Sequence, residues 1–253
     1  MKVYFGFDDT DNHDSLYGTG KLVRWFQKKL LKGCECLGVV RQQLCVCEDI
    51  PYTSHNSAAC MILEIPDPSL LEKIIDEAIS HIDHYAVLGS DPGLCVATES
   101  NPSLGDIVDF GRFCTHSVST QKQALQAARN VHLSGHGGTN DGIIGAAAAV
   151  GLTHWGWSGR FIELEGLREW PEQTTVSELM ENGIEAVSVD RDAKIPAPSD
   201  LVITNGWLRP LLMGHRPILL VMPKGPSIWE SLHHKRNKKE HPTAPNDRLE
   251  AVN

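Results

Sequence analysis

The chain opens with Lys2-Val-Tyr-Phe-Gly-Phe-Asp-Asp-Thr-Asp11, in which an apolar pattern runs directly into three aspartates. Aromatic and β-branched residues favour a strand over 2–7. Asp8, Asp9 and Asp11 follow at its carboxyl end, where α/β proteins place ligands. Because such close carboxylates repel unless protons or a cation offset them, we predict a Mg²⁺ or phosphate site. The alternative is an acidic turn, since Asp and Asn favour turns.

The residues after this strand alternate between helix and strand patterns. Gly33 is the predicted end of the first helix, and Ser69-Leu-Leu-Glu72 is a capping box that opens the second. The predicted helices cover 20–32 and 69–85, and the predicted strands cover 36–47, 58–65 and 93–98. The resulting order βαββαβ is the split-βαβ, or ferredoxin-like, arrangement.

The second half also mixes helices and strands. Helix patterns cover 117–130, 143–150 and 175–182, with Gly151 and Gly183 as predicted ends for the last two. Strand patterns cover 160–164, 184–189, 200–204 and 218–222. We therefore expect an α+β fold, with a ferredoxin-like (split βαβ) N-terminal domain followed by a second mixed α/β domain. The polar, basic tail at 231–253 is predicted to be disordered.

Composition and charge argue against several classes of function. The 253 residues are 41% hydrophobic and carry a net charge of −9, so the chain as a whole is a poor general nucleic-acid surface. No apolar run reaches the roughly 18 residues of a membrane span, and we expect a soluble, cytoplasmic protein without membrane contact. Cys34/Cys36 and Cys45/Cys47 are too closely spaced for ordinary structural zinc, so we expect free thiols and no zinc.

Two glycine-rich stretches precede predicted helices. In Gly18-Thr19-Gly20-Lys21 the N–H groups of a helix start and the lysine could hold an anion, although the spacing is not that of a P-loop. In Ser134–Gly142, the backbone around Gly137, Gly138 and Gly142 could form an anion-binding nest. The alternatives are a flexible cap for the first stretch and a tight connection for the second.

Further polar segments can be interpreted either as functional or as purely structural. Asn140 or Asp141 could cap the helix after the second glycine-rich stretch, and His136 could be a base or a phosphate donor. The segment 51–56 could line a polar pocket or form a surface loop. The basic run 233–239 could contact RNA, or be a solvated chain end.

Four segments together resemble a known family. They are Gly6-Phe-Asp-Asp-Thr-Asp11, Pro51-Tyr52 before the strand at 58–65, Asp91-Pro92-Gly93, and Gly142-Ile-Ile-Gly-Ala-Ala-Ala-Ala-Val-Gly151. Asn205 and Gly214-His215-Arg216 match more weakly. Over residues 1–222 the chain resembles the N-terminal part of archaeal tRNA 2-agmatinylcytidine (agmatidine) synthetase. That enzyme uses ATP and agmatine to modify the wobble cytidine of an isoleucine tRNA.

The resemblance implies a domain division and a site. The family has a kinase-like domain and then a ferredoxin-like domain, which would place an ATP/Mg²⁺-binding kinase-like domain at 1–120 and a ferredoxin-like α+β domain at 121–230. Asp8, Asp9 and Asp11 would bind Mg²⁺ with ATP. Thr19 would match the threonine that the family autophosphorylates, or Gly18 would fall at that position if the alignment gap is placed differently. Gly18, Gly20, Lys21, Gly137, Gly138 and Gly142 would hold phosphate oxygens.

The chain also departs from the family pattern. We expect no counterpart of the family's tRNA-holding OB-fold and zinc ribbon within these 253 residues, and Asn140-Asp141-Gly142 replaces an Arg-Gly pair. The family's Gly-Ile-Arg-Gly is here Gly214-His215-Arg216-Pro217. We therefore expect the ATP-using core to be retained, and tRNA or another RNA to be reached through a separate partner protein.

The sequence favours an ATP- and Mg²⁺-dependent, ligase- or kinase-like phosphoryl-transfer enzyme whose acceptor is an RNA nucleotide or a small molecule. Two alternatives stay open. One is a non-catalytic nucleotide- or ligand-binding module derived from the longer enzyme. The other is an aspartyl-phosphate phosphatase that uses Asp9-Thr10-Asp11, although that class needs a parallel sheet and a later lysine with an acidic pair.

Overall fold

A computed structural model describes residues 1–50, 56–192 and 194–232. The predicted basic run 233–239 and most of the predicted pocket segment 51–56 lie outside these ranges. So does the predicted disordered tail, except for its first two residues. No helix in the described ranges combines the length and the apolar character needed to cross a membrane.

Twelve strands form one continuous mixed sheet. The strands are β1 (Lys2–Asp8), β2 (Glu35–Gln43), β3 (Ser57–Glu64), β4 (Gly93–Thr98), β5 (His132–Gly135), β6 (Arg160–Glu163), β7 (Gln173–Thr175), β8 (Glu185–Ser188), β9 (Leu201–Ile203), β10 (Leu211–Met213), β11 (Arg216–Gly225) and β12 (Ile228–Ser231). The main path runs β5-β4-β1-β3-β2-β6-β10-β11-β12-β9-β7, and β8 pairs with β11. The mixed α/β character that the sequence predicts is confirmed.

Six α-helices cover the sheet in the described ranges. They are α1 (Thr19–Gln27), α2 (Leu71–Tyr85), α3 (Leu104–Cys114), α4 (Gln121–Ala127), α5 (Gly142–Trp155) and α6 (Val176–Glu181). The first six elements follow the predicted order βαββαβ, apart from one short 3₁₀ turn before α2. Strand β3 lies between β1 and β2, strand β1 lies between β3 and β4, and all three of these pairs are antiparallel.

Several predicted boundaries are wrong. Helix α1 ends at Gln27 because the next amides bond three residues back, from Lys28 to Trp25 and from Lys29 to Phe26. The cap before α2 is the Asp67 side chain, which accepts from the Ser69 amide. Strand β2 ends at Gln43 rather than residue 47, and Ser231 of the predicted tail belongs to β12.

The structure differs most from the predicted helices and strands over residues 104–156. Helix α3 and strand β5 were not predicted, and the helix expected at 117–130 begins only at Gln121, where Thr120 caps it. Gly151 lies inside α5 instead of ending it. Glycine is needed at this position because a β-carbon there would come within 2.1 Å of the Ile107 carbonyl oxygen of α3. The helix ends at Gly156, whose φ of +75° is typical of a C-terminal glycine.

Alternation along β1 assigns its side chains to two cores. Val3, Phe5 and Phe7 pack with α1 and α2 on one face. Tyr4 packs with α3, α4 and α5 on the other face, and Asp8 points the same way because side chains alternate along a strand. The last residue of β1 is therefore directed toward α5.

Helix α5 lies directly on the sheet. Most of its residues are buried, and it packs against β1, β3 and β4 on one side and α3 on the other. A β-carbon on Gly6 would come within 2.2 Å of the Ala146 carbonyl oxygen, so glycine on β1 permits this close approach. Residues beyond 120 thus cover the sheet of the first half, and the domain boundary at 120 stays a prediction.

The second half extends the same sheet. Strand β6 joins β2 to β10, and two parallel pairs, β8/β11 and β9/β12, enter beyond it. A separate apolar cluster forms there around Val202, Leu219 and Trp229. Helix α6 begins close to its predicted start, where Thr175 and Glu178 form a capping box; it ends at Glu181, and Gly183 follows with a positive φ.

Candidate functional site

A cleft of about 590 Å³ opens where β1 ends. Its wall includes Asp8, Asp9, Asp11 and Thr19, so the structure brings together the four residues that the sequence predicts to be catalytic. Uncharged polar side chains from the segment that leads into α4 form another part of the wall: Ser117, Ser119, Thr120 and Gln121. The cleft thus combines carboxylates with hydroxyl and amide groups.

The cleft is strongly acidic. Asp49, Asp91 and Asp141 add three further carboxylates, and no Lys or Arg occurs among its described lining residues. Carboxylates gathered in this way disfavour their own ionised state unless protons or cations offset the charge. The cleft therefore favours a cation, or a ligand that carries one with it.

Asp8 lies against the first turns of α5. A β-carbon on Gly145 would come within 1.8 Å of Asp8 Oδ2, so glycine leaves the space that the carboxylate fills. Burial, and next the neighbouring Asp9 charge, raise the pKa of Asp8 to about 8. In the absence of a cation, Asp8 therefore carries a proton at neutral pH.

Asp9 has an unusual backbone. Its φ of +50° lies in the left-handed region, which costs a non-glycine residue about 1–2 kcal/mol. Strain of this kind concentrates at functional sites. Burial raises the pKa of Asp9 to about 6, and the carboxylates of Asp91, Asp11 and Asp141 add to the shift.

Asp11 and Thr19 fasten the loop after β1 to the start of α1. The Thr19 amide donates to Asp11 Oδ1 at 3.0 Å, and the Thr19 hydroxyl lies 3.2 Å from the same oxygen. That hydroxyl also receives hydrogen bonds from the amide of Thr10 at 3.2 Å and from its hydroxyl at 3.0 Å. The nearly buried Thr19 hydroxyl is thus engaged on both sides, and it holds Asp11 at the edge of the cleft.

Asp91 organises the second glycine-rich stretch. Its carboxylate accepts from the Thr139 amide at 2.8 Å and from the Thr139 hydroxyl at 2.7 Å. A β-carbon on Gly138, whose φ is +54°, would overlap Asp91 Oδ1 at 1.3 Å. The Gly142 amide donates to the Asp91 carbonyl oxygen at 3.0 Å. The glycines let the loop close over a carboxylate of the protein itself.

The six residues predicted to hold phosphate do not line the cleft: Gly18, Gly20, Lys21, Gly137, Gly138 and Gly142. Gly18 lies beside Asp11, and Gly20 packs against Ile162. Lys21 is exposed, with its ammonium 5.3 Å from the centre of the Trp25 ring. Their phosphate contacts stay a prediction.

The donor set suits Mg²⁺, which uses one or two carboxylates together with substrate phosphates rather than a cage made only of protein. Carboxylate oxygens are hard ligands, and the raised pKa values of Asp8 and Asp9 come first from burial and next from neighbouring carboxylates, whose charge a dication would neutralise. Within the described ranges, no three His, Cys, Asp or Glu side chains converge closely enough to hold a metal ion between them. The seven cysteines are free thiols.

Sequence reasoning did not assign Asp49, Asp91 or Asp141 to the cleft. For Asp91 the signal was present in the predicted fold. Since β1 and β4 are antiparallel, the end of β1 meets the beginning of β4, and Asp8 pairs with Gly93. An acid just before β4 therefore belongs beside the aspartates after β1. Asp141 was considered only as a cap; it is the N-cap of α5, but its carboxylate accepts from Gln121 instead of capping.

Fold and site together define a mixed α/β protein with an acidic cleft at the carboxyl end of its first strand. No protein-family profile and no curated protein matches the chain. Among solved structures, the fold is similar to that of TiaS in its complex with an isoleucine tRNA and ATP, with a TM-score of 0.52 and 23% identity. That match covers 60% of this chain and 36% of the other.

Two further structures of the same protein are similar. The TiaS complex with the isoleucine tRNA, AMPCPP and agmatine has a TM-score of 0.50 and 21% identity, and covers 72% of this chain and 44% of the other. Apo TiaS, described as a tRNA agmatidine synthetase, has a TM-score of 0.48 and 24% identity, and covers 60% and 35%. The chain thus spans less than half of these structures. The resemblance to tRNA agmatidine synthetase is confirmed at the level of the fold.

Proposed function

We propose that this chain is an ATP- and Mg²⁺-dependent phosphoryl-transfer enzyme, ligase- or kinase-like, related to the catalytic part of tRNA agmatidine synthetase. The observation that carries the proposal is the meeting of Asp8, Asp9 and Asp11 in one acidic cleft at the end of β1. The shared fold supports it, because the similar structures include an ATP complex and an AMPCPP complex. The use of Mg²⁺, and the assignment of Asp8 and Asp9 as its ligands, are parts of this proposal.

The residues of the cleft divide into two proposed roles. Asp8 and Asp9 hold Mg²⁺, which supplies neutralisation of the charge on the phosphates. Ser119, Thr120 and Gln121 also line the cleft, and their side chains hydrogen-bond to Gln123, Thr139 and Asp141, so a nucleotide bound there would replace these contacts. Asp11 is a positioning residue, since its carboxylate is bound to Thr19. In phosphoryl transfer, such positioning and charge neutralisation provide most of the catalysis.

We further propose that the acceptor is an RNA, which the outer face of α1 helps to hold. Five Lys or Arg and no Asp or Glu occur between residues 15 and 34, in a chain of net charge −9. Lys21 and Trp25 lie on the outer side of α1, and Lys28, Lys29 and Lys32 follow in the turns between α1 and β2. We call these five residues together the α1 face. Leu22, Val23 and Phe26 occupy the buried side.

Aromatic rings accompany the lysines on this face. Trp25 lies 4.8 Å from Tyr17 and 5.6 Å from Tyr85, measured between ring centres. The Lys29 ammonium lies 4.5 Å from the centre of the Tyr85 ring. Cations mixed with aromatic rings are typical of surfaces that hold single-stranded nucleic acid. Because α1 begins at Thr19 on the cleft wall, RNA along this face would lead toward the cleft. Further contacts to tRNA would come from a separate partner protein.

Calorimetry tests the ATP site. We expect ATP to bind wild type only with Mg²⁺, and binding to be lost in Asp8→Asn and Asp9→Asn. Asp14→Asn is the matched control, because Asp14 is exposed in the same loop but does not line the cleft. Absence of binding to wild type at millimolar ATP, or equal binding in all four proteins, would refute the site. ATP turnover in the presence of RNA then separates an enzyme from a non-catalytic binding module, the alternative that stays open.

The structure does not favour an aspartyl-phosphate phosphatase. Strand β1 has antiparallel neighbours on both sides, whereas that hypothesis requires a parallel sheet. Hydrolysis of a phosphate ester without ATP, lost in Asp9→Asn, would restore it.

A further inference from the structure

A second constellation of reactive side chains lies at the edge of the sheet, outside the acidic cleft. The Ser134 hydroxyl is 2.8 Å from His136 Nε2 and 2.8 Å from His132 Nε2. The other ring nitrogen of His136, Nδ1, lies 3.8 Å from Asp83 Oδ1. None of these four residues lines the cleft.

The fold explains why these groups meet. His132 and Ser134 share one face of β5 because they lie two apart, and His136, directly after the strand, continues this spacing because its amide still bonds to the Pro92 carbonyl oxygen beside β4. Ser134 pairs with Leu94 of β4, and Leu94 belongs to the core that β1 forms with α1 and α2. The row on β5 therefore faces the layer of α2, the helix that carries Asp83.

We propose that Ser134, His136 and Asp83 form an acyl-transfer site for carboxylic esters, with Ser134 as the nucleophile. The serine–histidine contact is within hydrogen-bond distance, and a carboxylate faces the second nitrogen of the histidine, which is the order of groups that activates a serine hydroxyl. The 3.8 Å between His136 Nδ1 and Asp83 Oδ1 is longer than a hydrogen bond, so this contact has to tighten when substrate binds. This site is independent of the ATP cleft.

The protonation states suit this role. Burial lowers the pKa of His136, and the Asp83 charge opposes that shift. Burial also lowers the pKa of His132, with the nearby charge of His136 adding to the effect and that of Asp76 opposing it. Both rings are therefore neutral near pH 7, and a neutral His136 can accept the serine proton while His132 donates to the serine oxygen. His136 is assigned as the base because a carboxylate faces its second nitrogen.

The Gly135 amide is the donor that the proposal assigns to the developing oxyanion. The His136 amide donates to the Pro92 carbonyl oxygen at 2.8 Å, which continues the β4/β5 register and makes the even-numbered residues of β5 the bonded ones. In an antiparallel ladder the residues between them direct N–H away from the partner strand. Since β5 is the last strand of the sheet, the Gly135 amide points to the open edge, next to the nucleophile.

The reaction follows from these positions. Ser134 Oγ forms a bond to the ester carbonyl carbon as its proton passes to His136 Nε2, and the carbon–oxygen bond to the alcohol breaks as His136 returns the proton to the leaving alcohol. A water molecule then attacks the acyl-serine, giving the acid and free serine.

A fluorophosphonate probe tests the site on the wild-type protein. The serine oxygen would displace fluoride from phosphorus, and peptide mass spectrometry would locate the adduct. We expect the adduct on Ser134 and hydrolysis of p-nitrophenyl acetate. Labelling should fall by about 100-fold in His136→Asn. It should be absent from Ser134→Ala and unchanged in Ser177→Ala, a serine of α6. Because the adduct is mapped on wild type, the result does not depend on any variant folding.

Asp83 needs a different readout, since it acts through His136. Asp83→Asn should lower the pH at which labelling is half-maximal, because the carboxylate stabilises the charged imidazole. No adduct on Ser134 would overturn the proposal, and so would labelling that requires His132 but not His136. Asp9→Asn should label like wild type, so failure of the ATP site and failure of this site are distinguishable.

Discussion

Asp8 and Gly145 lie in contact between the first strand and the central helix: a β-carbon on Gly145 would come within 1.8 Å of Asp8 Oδ2. Strand β1 directs Asp8 at this face by simple alternation, and α5 can approach because it presents glycine at that point. The position of the Asp8 carboxylate in the acidic cleft thus depends on the absence of a side chain at Gly145 of α5.

Gly145→Ala should therefore displace the Asp8 carboxylate. In an open helix position, alanine would stabilise by up to about 1 kcal/mol relative to glycine. Here we expect the opposite, a lower free energy of unfolding together with weaker binding of MgATP. Chemical denaturation and calorimetry measure the two effects.

The control for this substitution is Gly105→Ala, since a β-carbon on Gly105 of α3 meets nothing within 4 Å. It should be neutral or mildly stabilising. Adding Asp8→Ala to Gly145→Ala should recover stability but not MgATP binding. If Gly145→Ala behaves like Gly105→Ala, the close contact between Asp8 and the helix does not exist in solution.

Asp8 should also make the metal-free protein less stable as pH rises. Its pKa is raised to about 8 in the folded state, so between about pH 4 and pH 8 the unfolded chain releases a proton that the folded chain keeps. Stability is full below the unfolded pKa and is lost toward pH 8, by on the order of several kcal/mol. Asp8→Asn removes this loss. Thermal unfolding with a chelator should show little difference between the two proteins near pH 4 and a clear advantage for Asp8→Asn near pH 9. An equal gain at both pH values would contradict the assignment.

The sequence predicts the order of the elements up to β4 because local rules agree there. The alternating residues of β1 and the apolar side of α1 are local patterns, and with the strand and helix patterns after them they indicate the order βαββαβ. The predicted end of α5 was wrong for a different reason. In the local sequence, Gly151 is typical of a helix end. It lies inside α5, however, where glycine is needed because Ile107 of α3 packs against it. That contact is tertiary, and no local pattern contains it.

The candidate site also combines residues that a local motif predicts with residues that only the tertiary fold brings together. The three aspartates after β1 are visible as a motif, whereas Asp49 and Asp141 reach the cleft from distant segments. For the second glycine-rich stretch the sequence left two interpretations open, an anion-binding nest and a tight connection, and the structure shows Gly138 close against the carboxylate of Asp91. Glycine spacing indicates a close approach to the backbone; it does not identify the group that approaches.

The contact between Asp91 and Gly138 gives a third prediction. Gly138→Ala should destabilise more than Gly183→Ala. Both glycines have positive φ, +54° and +73°, so both substitutions carry the cost of left-handed backbone, about 1–2 kcal/mol. Only Gly138 faces Asp91 Oδ1, whereas a β-carbon on Gly183 meets nothing within 4 Å. Denaturant unfolding compares the two, and equal losses would show that the loop does not close over Asp91.

Thr19 provides a fourth prediction, because its hydroxyl joins Thr10 to Asp11. Thr19→Val keeps the shape but leaves these groups without their partner, and should lower the free energy of unfolding by about 1–3 kcal/mol. Thr19→Ser keeps the hydroxyl and should lose much less. Both variants are compared by urea denaturation. A valine variant as stable as the serine variant would indicate that the hydroxyl has no structural role.

The face of α1 supports a last prediction, on RNA. Replacing Lys28, Lys29 and Lys32 with glutamine should weaken binding of a single-stranded RNA oligonucleotide and lower the slope of log K against log salt by about 2, since each phosphate contact contributes about 0.7. MgATP binding should not change, because these lysines do not line the cleft. The control replaces Lys73, Lys122 and Lys194, which are exposed on other parts of the surface. It removes the same amount of positive charge. If both triple variants weaken RNA binding equally, net charge rather than the α1 face holds the RNA. If neither does, RNA is not held by this face and a small-molecule acceptor becomes the better hypothesis.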